Sequence, residues 1–411
     1  MLVAMSSRGA PSERAIVFCV GAVQFVNILD FMIVMPLGPD FATALDIPVS
    51  HIGYVGGSYT AAASISGLAG AFFLDRYDRK KALLVAMVGL VLGTLAGAFA
   101  RGLGTLMLAR VIAGAFGGPA TSLSYSIIAD VIPAERRGRA MGAVMGAFSI
   151  ASILGVPAGL ELARQGGWKL PFIAVAVLGA IITAYTSAAL PSMSGHLALA
   201  RKRPFGRDLL EMLRSDVLLS LVMTAFVMAS SFILIPNIAP YLLYNLGYPR
   251  AHLGLLYLVG GAVSFVAMRG VGTMVDRFGS ARVATFGTVF VSTVIYLGFA
   301  RVPPAFPVMA IFVLFMLAMA FRNVSYNTLT SKVPLPDERA RFGSIQSSVQ
   351  HLASALGAFA SAQFLTELPD HKLVGVDGTA YTSIGLSVCL IPLFWVVEHR
   401  VTRSARVAPK D

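Results

Sequence analysis

Cysteine is nearly absent from this chain: two residues in 411, with six histidines and two tryptophans. Cys19 and Cys389 stand near opposite ends of the sequence, so neither a disulfide framework nor a thiolate metal centre can be drawn from spacing. Both are read as small packing residues. Charge is scarce as well. Asp, Glu, Lys and Arg together make up 13% of the residues, against about 25% for an ordinary soluble domain. A water-soluble fold of this composition would have to hide more apolar surface than it has interior to hide it in. Acids are scarcer than bases, 20 against 32, for a net charge of +12. The basic residues are spread over many short segments without an aromatic platform between them, which excludes a nucleic-acid partner. No metal-ligand set, nucleotide-binding loop or Ser-His-Asp arrangement emerges, so an enzyme is not expected and no cofactor is called for.

What the chain has instead is long apolar runs, 56% hydrophobic residues and a mean hydropathy of +0.77. Twelve runs are placed at Ala15–Gly38, His51–Leu74, Ala82–Ala100, Thr105–Ile127, Met141–Ala163, Pro171–Leu190, Leu218–Leu243, Leu253–Val275, Val283–Ala300, Phe306–Asn327, Phe342–Phe364 and Tyr381–Val397. Each is close to the roughly 17–25 residues that cross a hydrocarbon layer of about 30 Å as a helix. The first run is longer than a signal-peptide core and lacks a small-residue cleavage pattern, so it is read as a mature helix. The expected fold is an all-α integral membrane protein whose twelve spans leave both termini on one side.

Loop charge sets the orientation. Twenty-three of the 32 Lys and Arg residues fall on the side of the termini and six on the other, while Arg110, Arg269 and Arg322 lie within spans. Basic loops stay cytoplasmic, so both termini are expected there, against the anionic lipid heads of a bacterial inner membrane.

The chain also repeats itself. Asp75-Arg76 and Asp276-Arg277 are 201 residues apart, and the runs beginning Pro133-Ala134-Glu135-Arg136 and Pro336-Asp337-Glu338-Arg339 are 203 apart. Two loops in the same order at nearly the same offset indicate an internal duplication. The longest polar interruption, residues 191–216, divides residues 1–190 from residues 217–411. Two pseudo-symmetric six-helix bundles joined by a cytoplasmic linker are therefore expected.

Around the first turn the sequence reads Ala71-Phe72-Phe73-Leu74-Asp75-Arg76-Tyr77-Asp78-Arg79-Lys80, and around the second Gly272-Thr273-Met274-Val275-Asp276-Arg277-Phe278-Gly279. Arg110-Val111-Ile112-Ala113-Gly114 stands in span four, and Gly155-Val156-Pro157-Ala158-Gly159 follows Gly142 and Gly146 in span five. These motifs resemble those of the major facilitator superfamily, and more narrowly its bacterial drug-and-metabolite proton antiporter branch, which includes sugar-efflux-like exporters. Ala71, Asp78 and Val156 depart from the branch pattern. The resemblance implies a secondary transporter working by alternating access, using the proton gradient to expel a small organic solute. It implies a cytoplasmic gate at Asp75, Arg76 and Arg79. Asp130, Arg136, Asp276, Arg277 and Arg339 are grouped with that gate, although charges that merely set topology would have the same residue types.

Gly146, Gly155, Pro157 and Gly159 are candidate hinge residues, because small side chains allow close helix approach and proline removes a backbone donor. Asp30 and Arg110 are both about 10–12 Å below the outer surface at 1.5 Å per residue. A membrane-embedded carboxylate is a functional candidate by default. Three readings stay open for it: proton coupling with Arg110, a permanent strut, or a contact to the solute. His351 is a third proton-coupling candidate or a neutral packing residue. Asn27 and Phe31 in the first half, and Asn237, Tyr241, Asn323, Tyr326, Asn327, Gln346 and Gln350 in the second, are candidates for lining a polar solute cavity. Arg269 and Arg322 are expected to snorkel or to anchor gates. A proton-independent facilitator or importer and a non-transporting sensor remain alternatives. A monomer in contact with lipid, with a small-molecule solute as its partner, is expected.

Overall fold

The computed structural model describes residues 13–198, 214–335 and 339–407. Residues 199–213 of the linker, Pro336-Asp337-Glu338, and the side chains of Asp75 and Arg339 lie outside the described residues. Twelve helical spans follow the apolar runs. They are α1 (Glu13–Val34), α2 (Ile52–Phe73), α3 (Arg79–Ala98), α4 (Leu103–Val131) and α5 (Ala134–Ile150, continued through Ala151–Gly155 into Val156–Gly166). Next come α6 (Lys169–Ala189), α7 (Ser215–Phe232), α8 (Leu253–Phe278) and α9 (Ser280–Ile295). The last three are α10 (Val308–Ser331), α11 (Arg339–Phe364) and α12 (Val376–Val388 with Leu390–Val407). Twelve crossings put Glu13 and Val407 on one side, called here the termini side; the opposite face is the far side.

The duplication read from the loops is repeated in the packing. In the first bundle α4 packs on α2 and α3, and α1 on α5 and α6; in the second α10 packs on α8 and α9, and α7 on α11 and α12. The bundles meet along two main seams, α2 with α11 and α5 with α8. Ten spans are long and apolar enough to cross a membrane by composition. The other two, α2 and α11, are rich in Gly, Ala and Ser, and they are the partners of one seam. A helix hidden between two bundles needs small residues for close approach more than it needs lipid-compatible bulk.

Local chemistry explains the irregularities. Helix α5 widens into a π-helical turn at Ala151–Gly155 immediately before Pro157. Proline supplies no N–H and its ring crowds the carbonyl four residues back, so the helix loosens there. Helix α7 stops at Phe232 and is followed by short turns at Ile235–Asn237, Ile238–Pro240 and Tyr241–Asn245. Gly279, with φ +90°, makes the one-residue turn between α8 and α9, a conformation in which a Cβ would be strained. On the far side a short helix, Gly38–Leu45, follows α1, and a small antiparallel pair, β1 (Thr366–Glu367) and β2 (Leu373–Val374), follows α11.

Candidate functional site

The structure brings Asp30 and Arg110 together in the interior of the first bundle. Arg110 Nη1 donates to Asp30 Oδ1 at 2.9 Å and Nη2 to Oδ2 at 2.6 Å, a bidentate pair. The two residues are 1% and 0% exposed. The Thr94 hydroxyl sits between Asp30 Oδ1 at 2.7 Å and its own Leu90 carbonyl at 2.8 Å. The Arg110 guanidinium also lies 4.8 Å from the centre of the Tyr59 ring. Tyr59 donates to Asn27 Oδ1 at 2.6 Å, while Asn27 Nδ2 donates to the Gly117 carbonyl and to Thr121 Oγ1 at 2.9 and 2.8 Å. Four helices, α1 to α4, thus converge on one polar knot. Asn27 spends its amide there instead of facing an opening.

Phe31 is the lid of that knot. Its ring stacks on Tyr59 at 5.4 Å and lies 5.8 Å from Phe232 of α7, so it spans from one bundle to the other. His351 stays on α11, half-buried, with Nδ1 2.8 Å from the Ser347 carbonyl oxygen. It is not part of the Asp30 knot.

The second bundle has a hub at Tyr326, which is fully buried. Its hydroxyl donates to Thr224 Oγ1 at 3.0 Å and accepts from Gln346 Nε2 and Gln350 Nε2 at 3.0 and 3.2 Å. Three of the candidate cavity residues therefore form one network joining α7, α10 and α11. Tyr241 is buried and donates to the Gly298 carbonyl at 3.0 Å. Asn327 is exposed and Asn323 half-buried, one turn apart on α10. Asn237 is 2% exposed, and neither polar atom of its amide has a partner. It stands in the broken stretch after α7, where regular backbone pairing is already lost. Buried polar atoms left open in this way cost roughly 1–3 kcal/mol each unless a ligand or water meets them.

Arg269 is exposed and lies against the Phe265 ring at 5.0 Å, in keeping with a snorkelling side chain. Arg322 does not snorkel. It is 1% exposed and points inward to serines of α7 and α12, because α10 presents it to the bundle interior and not to an interface with water.

At the termini side the basic turns make contacts within the first bundle. Arg79 Nε donates to Asp130 at 3.2 Å, and Arg136 to Glu13 at 3.0 Å. Arg76, Asp276 and Arg277 are exposed, with Arg277 lying 5.3 Å from the Phe278 ring centre. Asp78, the departure from the branch pattern, has a structural role. It caps α3 by accepting from Lys81 N at 3.0 Å, and it accepts from Ser192 and from Met193 N at 2.5 and 2.7 Å. Burial alone would raise its pKa, but the Ser192 hydroxyl and the backbone amides outweigh that and hold the carboxyl below its ordinary value. In the second half the corresponding helix start is capped from α12: Glu398 accepts from Ser280 N and Ala281 N at 2.7 and 3.1 Å.

The far side is closed by contacts that sequence reasoning missed. Arg250, just before α8, makes a forked pair with Asp40 of the short helix after α1, at 2.7 to 3.1 Å, and its Nη2 lies 3.4 Å from the Leu160 carbonyl. Glu367 accepts from Val49 N, and Gln363 donates to Tyr54. These residues are on loops and helix ends with no motif around them. Only the presence of opposite charges in the two far-side loops hinted at the pair.

Glycines along the seams show where the bundles touch. A methyl group on Gly53 would run into the Ala358 carbonyl, and one on Gly57 into the Phe359 ring, both on α11. Gly254 and Gly261 of α8 face Pro157 and Ser152–Ile153 of α5. All four are in the far-side half or at mid-depth. At the termini-side ends, Gly142 and Gly146 of α5, Gly270 and Gly272 of α8 and Gly343 of α11 have open space where a Cβ would go. Of the hinge candidates, Gly155 and Gly159 pack instead on Leu29 and Ile33 of α1.

A family model described as Major Facilitator Superfamily matches residues 20–358. The chain belongs to the major facilitator superfamily. Among curated relatives it is similar to the purine ribonucleoside efflux pump NepI of Salmonella typhimurium, 27% identical over 352 residues and 84% of each chain. Among solved structures it is similar to a D-xylose-proton symporter, with a TM-score of 0.76, 16% identity and coverage of 93% of this chain and 97% of that one. It also resembles the nucleoside transporter NupG, with a TM-score of 0.73, 15% identity and coverage of 93% and 99%. The two solved structures share the fold of twelve spans in two bundles. Phe31 of the first bundle and Phe232 of the second meet across the boundary between the bundles.

Proposed function

We propose that this protein exports a small organic solute across a bacterial inner membrane by alternating access, driven by inward movement of protons. The termini side is taken as cytoplasmic, from the excess of basic residues on that side. The observation that carries the reading is the uneven seam: the bundles are held together through Asp40–Arg250 on the far side and through α2–α11 contacts that run past mid-depth to Ser64–Ser348 and Gly67, while Gly142, Gly146, Gly272 and Gly343 nearer the termini side meet open space. A carrier with one mouth closed has this geometry; a channel would be open at both ends. The drug-and-metabolite branch, the outward direction and NepI's named substrate class make purine ribonucleosides the first solutes to screen. The unpaired amide of Asn237 is suited to meet a hydrogen-bonding group of the solute. No bound cofactor takes part, and one chain suffices.

Asp30 is proposed as the proton carrier, because among the described residues it is the one buried acid of the first bundle and each proton crossing about 100 mV brings roughly 2.3 kcal/mol. A second reading has a specific observation in its favour: the forked, sealed pair with Arg110 is also what a permanent strut requires. Flux into proteoliposomes, with and without a pH gradient, separates the two. Asp30→Asn is expected to abolish gradient-driven accumulation and to leave some exchange of solute for solute. Concentrative transport that survives in this variant would show that Asp30 is a strut.

A further inference from the structure

Arg322 is a fully buried cation with neutral partners only. Nη1 donates to Ser230 and Ser387 at 3.2 and 3.3 Å, and Nη2 to Ser231 at 2.6 Å and to Met319 Sδ at 3.1 Å. Its Nε is buried with no partner. Among the described residues it makes no ion pair, and it is the only side chain of Arg, Lys, Asp or Glu other than Arg79, Asp30 and Arg110 to be buried. Those three are all in ion pairs.

The contrast with the first bundle is informative. There a buried arginine of α4 meets a carboxylate of α1. In the second bundle a buried arginine of α10 meets α7, the helix that corresponds to α1 by its packing. The residue 201 positions after Asp30, the same offset that relates Asp75 to Asp276, is Ser231. The second bundle therefore has the cation and lacks the anion.

Hydroxyls can satisfy N–H groups but do not neutralise charge, and an uncompensated buried charge is costly. One partial source of compensation is visible. Ser230 and Ser231 are in the last turn of α7, whose carbonyl end carries about half a negative charge. About half of the guanidinium charge remains to be offset.

We propose that Arg322, with Ser230, Ser231 and Ser387, forms a site for one small monovalent anion. The anion is either a halide from solution or the carboxylate of a transported solute; the shared chemistry is a single negative charge that accepts from the guanidinium, whose Nε–H has no partner, and from serine hydroxyls once Ser230 and Ser231 turn from the Val227 carbonyl to which they now donate. The site completes in the second bundle the charge pairing that Asp30 builds into the first. This inference rests on the geometry of one bundle and holds whether or not transport is proton-coupled.

The test uses the full chain, purified in detergent, and follows thermal unfolding at constant ionic strength. The sodium salt of MES, a bulky sulfonate and not a carboxylate, is replaced stepwise by sodium chloride in one series and by sodium acetate in another. A saturable rise in Tm of about 2 °C or more is expected. Saturation with chloride identifies the solution source, and saturation with acetate alone identifies the carboxylate of a solute. Arg322→Gln should abolish the dependence. Should that variant fail to fold, Ser231→Asp answers the same question: it supplies an internal counter-charge where the first bundle has one, so it should unfold at the saturated temperature with no anion present. A wild-type Tm indifferent to both anions, or an unchanged anion dependence in Ser231→Asp, overturns the proposal.

Discussion

The far-side pair of Asp40 and Arg250 offers a quantitative handle on the transport cycle. Asp40 belongs to the first bundle and Arg250 to the second, so the bond exists only while the far mouth is shut. Its contacts are 2.7 to 3.1 Å and forked, with side chains 22% and 26% exposed. Exposed pairs are worth about 0.2–1 kcal/mol, and breaking one partner of a buried, hydrogen-bonded pair costs about 2–5 kcal/mol. A pair roughly three-quarters withdrawn from water lies between, at about 1.5 kcal/mol. Removing it should raise the population open on the far side about tenfold, since about 1.4 kcal/mol is a factor of ten. Spin labels at Asp46→Cys and Arg301→Cys, in a background where Cys19 and Cys389 are serine, report the width of that mouth by their distance distribution. Asp40→Asn and Arg250→Gln should each increase the long-distance fraction, and the double variant should do no more than either. The exchanged pair Asp40→Arg with Arg250→Asp should restore much of the closed fraction. Additive effects in the double variant, or changes of less than about twofold, would refute the latch and the arithmetic behind it.

Three further outcomes follow from the geometry. Asp78→Gly restores the residue of the branch pattern but removes the cap of α3, worth only a few tenths of a kcal/mol against Gly, and the charged hydrogen bonds to Ser192 and Met193; together these should cost about 1–2 kcal/mol of stability at neutral pH, read from thermal unfolding in detergent. Because the Asp78 carboxyl is held below its ordinary value of 3.8, its stabilisation is fully present above that pH and is lost as the pH falls below it, so wild type and variant should converge only in acid. Gly53→Leu would drive a side chain into the α11 backbone and force the far mouth open, whereas Gly146→Leu should leave the present state intact and obstruct closure of the termini side; accessibility of cysteines placed at the two mouths should move in opposite directions in these variants. Phe232→Ala removes the second-bundle half of the cover over Phe31, and it should speed labelling of Asp30 by a carbodiimide, quantified by mass spectrometry; an unchanged labelling rate would remove Phe31–Phe232 as the barrier to water.

The twelve spans could be read from the sequence because hydrocarbon imposes a length and forbids unpaired backbone, so each run of about twenty apolar residues has little choice. The pairing of Asp30 with Arg110 was legible for a related reason: two opposite charges at equal depth in a medium that penalises both have a strong incentive to meet. The Asp40–Arg250 latch had no such constraint. It joins residues 210 positions apart in loops that water also reaches, where charge spacing predicts nothing. Arg322 was misplaced because depth was judged from the sequence while the direction of the side chain depends on the helix face. Asp78 stood out in the sequence only as a departure from the branch pattern, and the approach of Ser192 from beyond α6 shows that it anchors the start of the linker.

The location of the charge pair also constrains how coupling can work. Asp30 and Arg110 are on α1 and α4, both in the first bundle, and Thr94 on α3 belongs to the same bundle. A rigid rocking of one bundle against the other leaves these distances unchanged, so it cannot by itself load or release a proton by pulling the arginine away. What rocking does change is the cover. Phe31 follows Asp30 in the chain and is held between Tyr59 of its own bundle and Phe232 of the other. When the bundles part at this level, the Phe31–Phe232 contact is broken and Phe31 is held by Tyr59 alone. In the cycle proposed for Asp30, rocking would act on the pair through the Tyr59 ring, which contacts Phe31 at 5.4 Å on one side and the Arg110 guanidinium at 4.8 Å on the other, and breaking the Phe31–Phe232 contact is the step that would connect the two bundles to it.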